Sequence, residues 1–311
     1  TATSATLNVS GAQTFGTLTV AKAAEVNINS NAATSATVTA ATAKTLNIGG
    51  TNLLTLTSTG NAALETVNVT GTGGVTVDVS ADATVTAVNT TGSTAAAPAS
   101  GVLTGANTIT IGTNVAYTGG AGQDKVTVGA TLKAVDLGAG NDTATVSVTA
   151  LGGAGGSVKG GDGTDVLKLS NANAVTLSSA GATQAAFKAA VTGFETLDIT
   201  TQTGSTIDVS KMGTFSQVNM ASGTATQVLS GITSGMTIQS TYGAAGTDIQ
   251  TNTLTSASDS LTLVLTGDLS TAARVFGTLT TPGVENLTVT TTDTTATVVG
   301  RLATLTSLDA N

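Results

Sequence analysis

The chain has 311 residues, of which 9% are charged and 2% aromatic, and its formal net charge is −8. It contains no cysteine and no histidine, which removes disulfides, thiolate and imidazole chemistry, and nearly every transition-metal site. The acidic balance excludes nucleic acid as a partner, no apolar run is long enough for a transmembrane segment, and two Tyr and five Phe cannot fill a wide core.

Thr and Val favour strands, and frequent Gly, Asn and Asp supply turns, so the fold class is all-β. Over residues 1–90 an apolar-Asn-apolar triplet recurs as Leu7-Asn8-Val9, Val26-Asn27-Ile28, Leu46-Asn47-Ile48 and Val67-Asn68-Val69. Its Asn residues are 19, 20 and 21 positions apart. A second series lies between them: Thr17-Leu18-Thr19-Val20, Thr37-Val38-Thr39 and Thr55-Leu56-Thr57. Strand side chains alternate between two faces, so each triplet turns its apolar residues one way and its Asn the other. A coil of about 20 residues carrying two such strands is one rung of a parallel β-solenoid (β-helix), whose rungs stack ~4.8 Å apart over a thin shared core. A β-sandwich is the competing fold. The regular spacing and the shortage of large core residues favour the solenoid. The first residues, "TATSATLNVSG", already carry the strand pattern, and the chain is expected to be a piece of a longer protein or a processed product.

Residues 91–110 are expected to form a loop or joint, because "NTTGSTAAAPASGVLTGAN" (89–107) lacks apolar alternation and contains Pro98. Residues 111–170 carry acidic turns. Gly119 to Thr127 fits Gly-Gly-x-Gly-x-Asp-x-U-x throughout, with aliphatic Val126 at U, and Gly160 to Lys168 fits with Leu167 at U. Leu137 to Thr145 is an imperfect copy, with Leu137 for the first Gly and Ala144 at U. Glycine permits close approach of carbonyls to an ion, Asp supplies a hard anionic oxygen, and the aliphatic residue anchors the next strand. Two nine-residue units make a rung, so turns eighteen residues apart stack on one side. The third follows after five inserted residues. Calcium takes six to eight oxygen ligands, which two stacked turns can supply and one cannot. Without a cation, carboxylates one rung apart repel by roughly 3.5 kcal/mol at an effective dielectric of about 20. Of the chain's eighteen acids, five lie between Asp124 and Asp165.

Residues 171–193 are expected to be an insertion with a short helix, "ATQAAFKAAVTG" (182–193), and a second short helix is expected at "STAARVFG" (270–277), each ending at Gly. The phrase Leu64-Glu65-Thr66-Val67-Asn68-Val69 returns as Phe194-Glu195-Thr196-Leu197-Asp198-Ile199 and Val284-Glu285-Asn286-Leu287-Thr288-Val289, so residues 194–311 are expected to form a second ladder. "YGAAGTDIQ" (242–250) echoes the acidic pattern without its second Gly, and Asp248 there is expected to be a plain turn residue.

The stretch from Gly119 to Leu169, followed by "GFETLDIT", resembles the RTX (repeats-in-toxin) calcium-binding family and, more narrowly, RTX-type bacterial surface-layer proteins of the Caulobacter-like lattice family. The resemblance covers about residues 119–200. It implies type I secretion, Ca2+-triggered folding outside the cell, and self-association into a two-dimensional lattice on the bacterial cell surface, with anchoring through another part of the parent chain. It further implies Asp124, Asp142 and Asp165 as calcium ligands. Carbonyls of Gly120 and Gly122 are expected to face those of Leu137 and Ala139, and those of Gly138 and Gly140 to face Gly160 and Asp162, giving two inter-rung sites.

An adhesin stalk uses the same stiff rod and calcium and stands as the alternative. A polysaccharide-active enzyme needs clustered carboxylates beside basic or aromatic groups. Asp78/Asp82 and Asp259/Asp268 are the available pairs, and solvated turn acids explain them better, so no enzyme is expected. The Thr-x-Thr pairs suit an ice-binding hydroxyl array, but Thr is also the ordinary outward residue of a strand.

Overall fold

A computed structural model describes residues 3–11, 13–32, 34–58, 61–96, 105–151, 155–200, 204–221, 226–241, 249–267, 274–293 and 303–309. The fold is a parallel β-solenoid of about 11 turns with two short helices among the described residues. It divides into two compact units, Thr1–Val166 with Ala190–Gly193, and Leu167–Ala189 with Phe194–Asn311.

The first unit has two sheets. One is built from the Asn-bearing strands, in the order Ser4–Val9, Glu25–Ser30, Thr45–Gly50, Thr66–Gly71, Ala87–Ser93, Ala116–Thr118, Ala134–Asp136, Ser157–Lys159 and Val191–Thr192. The other takes the Thr-rich strands Gln13–Thr19, Thr34–Thr39, Leu54–Ser58, Val75–Asp78, Asn107–Ile111, Asp124–Val128 and Thr143–Val146 in sequence order. The register follows the triplets: Asn27 pairs with Asn47, Asn47 with Asn68, and Asn68 with Asn89. Alternation sends Val26, Ile28, Leu46, Ile48 and Val67 into the core at 2% exposure or less. The Asn side chains lie on the opposite face and bond between rungs. Asn47 Nδ2 donates to Asn27 Oδ1 at 2.8 Å, and Asn68 Nδ2 to Asn47 Oδ1 at 2.8 Å.

Val75–Asp78 pairs directly with Asn107–Ile111, so the ladder does not end at residues 91–110. Strand Ala87–Ser93 enters that segment from one side and Asn107–Ile111 leaves it on the other, while Pro98 lies outside the described residues.

In the second unit one sheet contains Thr196–Thr200, Gln217–Met220, Thr237–Thr241, Ser260–Gly267 and Asn286–Asp293, and the other contains Thr206–Asp208, Gln227–Ser230, Ile249–Thr251, Arg274–Thr280 and Ala303–Asp309. Helix α1 (Asn171–Ser178) was not legible in the sequence. Ser170 caps it by accepting the Asn173 N–H, and Ala174 and Leu177 bury its inner face. Helix α2 (Ala182–Ala190) lies where a helix was expected and buries Phe187. The helix expected at 270–277 is not formed over its described part. Arg274–Thr280 is a strand paired in parallel with Ala303–Asp309, a tertiary pairing that overrides the local helix propensity. Residues 242–248, with the turn around Asp248, lie outside the described residues.

Candidate metal centre

The acidic turns stack as their spacing requires. Lys125 pairs with Thr143, eighteen residues on, which sets Asp124 one rung from Asp142. Ala139 pairs with Asp162 and Gly140 with Gly163, so the five inserted residues are absorbed before the third turn. Gly138, Gly140, Gly161 and Gly163 have φ of +94°, +143°, +117° and +138°, a backbone region that resists any side chain. A Cβ on Gly140 would meet the Gly122 carbonyl, and one on Gly161 or Gly163 would collide with the carbonyl of Gly138 or Gly140. Glycine at these positions lets successive turns lie in backbone contact.

Asp124, Asp142 and Asp165 are all completely buried at this corner. Each of the last two carboxylates reaches back one rung. Asp142 Oδ1 accepts the Asp124 backbone N–H at 2.7 Å, and Asp165 Oδ1 accepts the Asp142 N–H at 2.8 Å. The two foremost acids then differ. Asp124 Oδ1 accepts from Asn107 Nδ2 at 2.7 Å and its Oδ2 from Thr90 Oγ1 at 2.8 Å. Asp142 Oδ2 is buried with no hydrogen-bond partner among the described residues. Among the described residues no Lys or Arg pairs with Asp124 or Asp142.

The electrostatics follow. Burial pushes the Asp142 carboxyl up to about 7; the Asp124 N–H opposes the rise, and the charges of Asp124 and Asp165 add to it. Burial also raises Asp124, against the pull of hydrogen bonds from Asn107, Thr90 and Tyr117. Tyr117 lies well above its ordinary value, first through burial and then through the Asp124 charge.

Calcium fits one end of this column better than the other. At Asp142 one buried carboxylate oxygen has no donor among the described residues, and the other lies close to Gly140, where a Cβ would crowd it, a donor set suited to a hard cation. At Asp124 both oxygens already have donors. The expected facing carbonyls are partly engaged: Gly120 O accepts the Ala139 N–H at 2.7 Å, and Gly138 O accepts the Asp162 N–H at 2.9 Å. Leu137 and Gly160 donate their own N–H groups to Lys159 O and Thr192 O. Gly122 is buried against Ser93 and Ala95, and the Asp162 side chain is exposed. No group of three acidic side chains converges among the described residues, so any ion here depends on main-chain oxygens as well.

Sequence reasoning missed Asn107, Thr90 and Tyr117. A signal for Asn107 was present. Gly105-Ala106-Asn107-Thr108-Ile109 repeats Gly122-Gln123-Asp124-Lys125-Val126 with Asn in place of Asp, and Asn107 pairs with Asp124 in the sheet. Thr90 and Tyr117 carry no such pattern, because they reach the corner from the opposite sheet.

The acids considered for catalysis have local roles. Asp78 Oδ1 accepts the Ser80 N–H at 2.8 Å, Asp82 Oδ2 accepts from Ser58 Oγ at 2.6 Å, and Asp259 Oδ2 accepts the Ser256 N–H at 2.7 Å. Asp268 lies outside the described residues. No protein-family model and no curated protein matches the chain.

Proposed function

We propose that this chain is a structural, non-enzymatic segment of a secreted bacterial surface-layer protein, in which calcium held between turns 137–142 and 160–165 locks adjacent rungs and the stiffened solenoid self-associates into a lattice at the cell surface. The observation that carries the reading is Asp142: a fully buried carboxylate that, among the described residues, has one oxygen unpartnered and no basic residue paired with it, and that has like charges one rung away on either side. Such a group needs either a proton or a cation. Asp142 and Asp165 would hold the ion together with main-chain carbonyls of the two turns. When bound, calcium supplies the positive charge that offsets their repulsion.

The lattice part of the proposal rests on the family resemblance of residues 119–200 and on the acidic, aromatic-poor composition. The test is to strip the protein with chelator, restore calcium, and follow melting temperature, light scattering and negative-stain images. The reading expects a rise in melting temperature and periodic sheets. An ion at a hundred times its dissociation constant adds about 2.7 kcal/mol of stability. Stabilisation without sheets removes the lattice. An unchanged melting temperature in millimolar calcium removes the ion and leaves the turns as ordinary corners.

A further inference from the structure

The Asp124 corner meets the same charge problem with a different chemistry. Its carboxylate is enclosed by Thr90, Asn107 and Tyr117, which are at most 1% exposed. Thr90 Oγ1 donates to Asp124 Oδ2 at 2.8 Å, and the Tyr117 hydroxyl oxygen lies 3.2 Å from Thr90 Oγ1. Asn107 Nδ2 donates to Asp124 Oδ1 and also to Ser93 Oγ, at 3.1 Å. Asn107 stands one rung before Asp124, at the position that Asp occupies in the three following turns. There an amide donates where a carboxylate would repel. A cation entering on this side would displace the Thr90 hydroxyl and one of the two Asn107 N–H bonds, leaving each without its present acceptor in a buried site.

We infer that Thr90, Asn107 and Tyr117 form a hydrogen-bonded anchor that takes the place of a cation at Asp124, so that Asp124 ends the acidic column and is not a calcium ligand. Asn107 is the positioning residue that sets where the column stops. The second half of the inference rests on the calcium reading proposed above, whereas the anchor itself does not.

Calorimetric calcium titration of the full chain, with wild type, Asp124→Asn and Asn107→Asp side by side, tests the ligand assignment. Asp124→Asn is expected to keep the wild-type number of ions, and Asn107→Asp to gain one. Loss of an ion in Asp124→Asn, or no gain in Asn107→Asp, overturns it. Thr90→Val, melted in chelator and in calcium, tests the anchor. The expected result is the same loss of melting temperature in both buffers, and recovery in calcium would mean that a cation can serve Asp124 after all. If wild type binds no calcium, the proposed function fails, and an equal loss for Thr90→Val in both buffers still supports the anchor.

Discussion

Asp142 performs two tasks that can be separated at a single atom. Its Oδ1 caps the backbone N–H of the rung before, and its Oδ2 has no partner among the described residues. Capping alone does not need a charge. Asn61 Oδ1 accepts the Ala40 N–H at 2.6 Å, and Asn252 Oδ1 accepts the Ile232 N–H at 2.8 Å, each one rung back. The chain therefore uses Asn for this bond elsewhere, and the charge at Asp142 requires a separate reason. Its elevated pKa gives a pH signature. Between the ordinary carboxyl range near ~4 and about 7, the folded state holds a proton at Asp142 that the unfolded state has released. In chelator, stability must then fall as pH rises through that window, with Asp124 shifted in the same direction. Melting temperatures measured from pH 4.5 to 8 are expected to decline for wild type and to decline less steeply for Asp142→Asn, in which the raised Asp124 remains. A rise over the same interval would contradict the account.

At the scale of the rung, the device is a strand pair joined by a tight turn, and its two halves depend on different residues. Asn47 both donates to Asn27 and accepts from Asn68 in a half-buried ladder. Asn47→Ala removes both bonds and is expected to cost about 1–2 kcal/mol by denaturant unfolding. In the turns, Gly161→Ala places a Cβ at φ +117° against the Gly138 carbonyl, and a loss larger than the ~1 kcal/mol usual for a strain-free Gly change is expected. The ladder was legible because a period of about 20 residues and strict alternation write its geometry directly into the sequence. The turn stack was legible because only Gly tolerates those conformations. Helix α1 was not: its segment "NANAVTLS" has no apolar stripe, and it is fixed by the Ser170 cap and by packing against Thr206–Asp208. Arg274–Thr280 was misread for the converse reason, because its parallel partner lies about thirty residues away in sequence. The anchor around Asp124 was equally hidden. Thr90 and Tyr117 come from other strands, and nothing near them in sequence marks their role.

Over the first unit, stacking makes stability a sum of rung interiors and rung-to-rung contacts, so a local bond between two turns supports the neighbours on both sides. A chain with few large side chains has little aliphatic surplus to absorb three buried carboxylates, and an ion at the Asp142 end would convert that burden into a link. Calcium bound there would also displace any proton Asp142 holds, which would tie the ion to the pH behaviour above. The measurement that tests this most directly is the melting temperature of wild type and Asp142→Asn, each in chelator and in saturating calcium. Asn keeps the oxygen that caps the Asp124 N–H and replaces the unpartnered charged oxygen with a neutral amide nitrogen. The account requires the order to reverse: the variant melts higher than wild type in chelator and lower in calcium. A variant that melts below wild type by the same amount in both buffers would mean that Asp142 is a structural cap and nothing more.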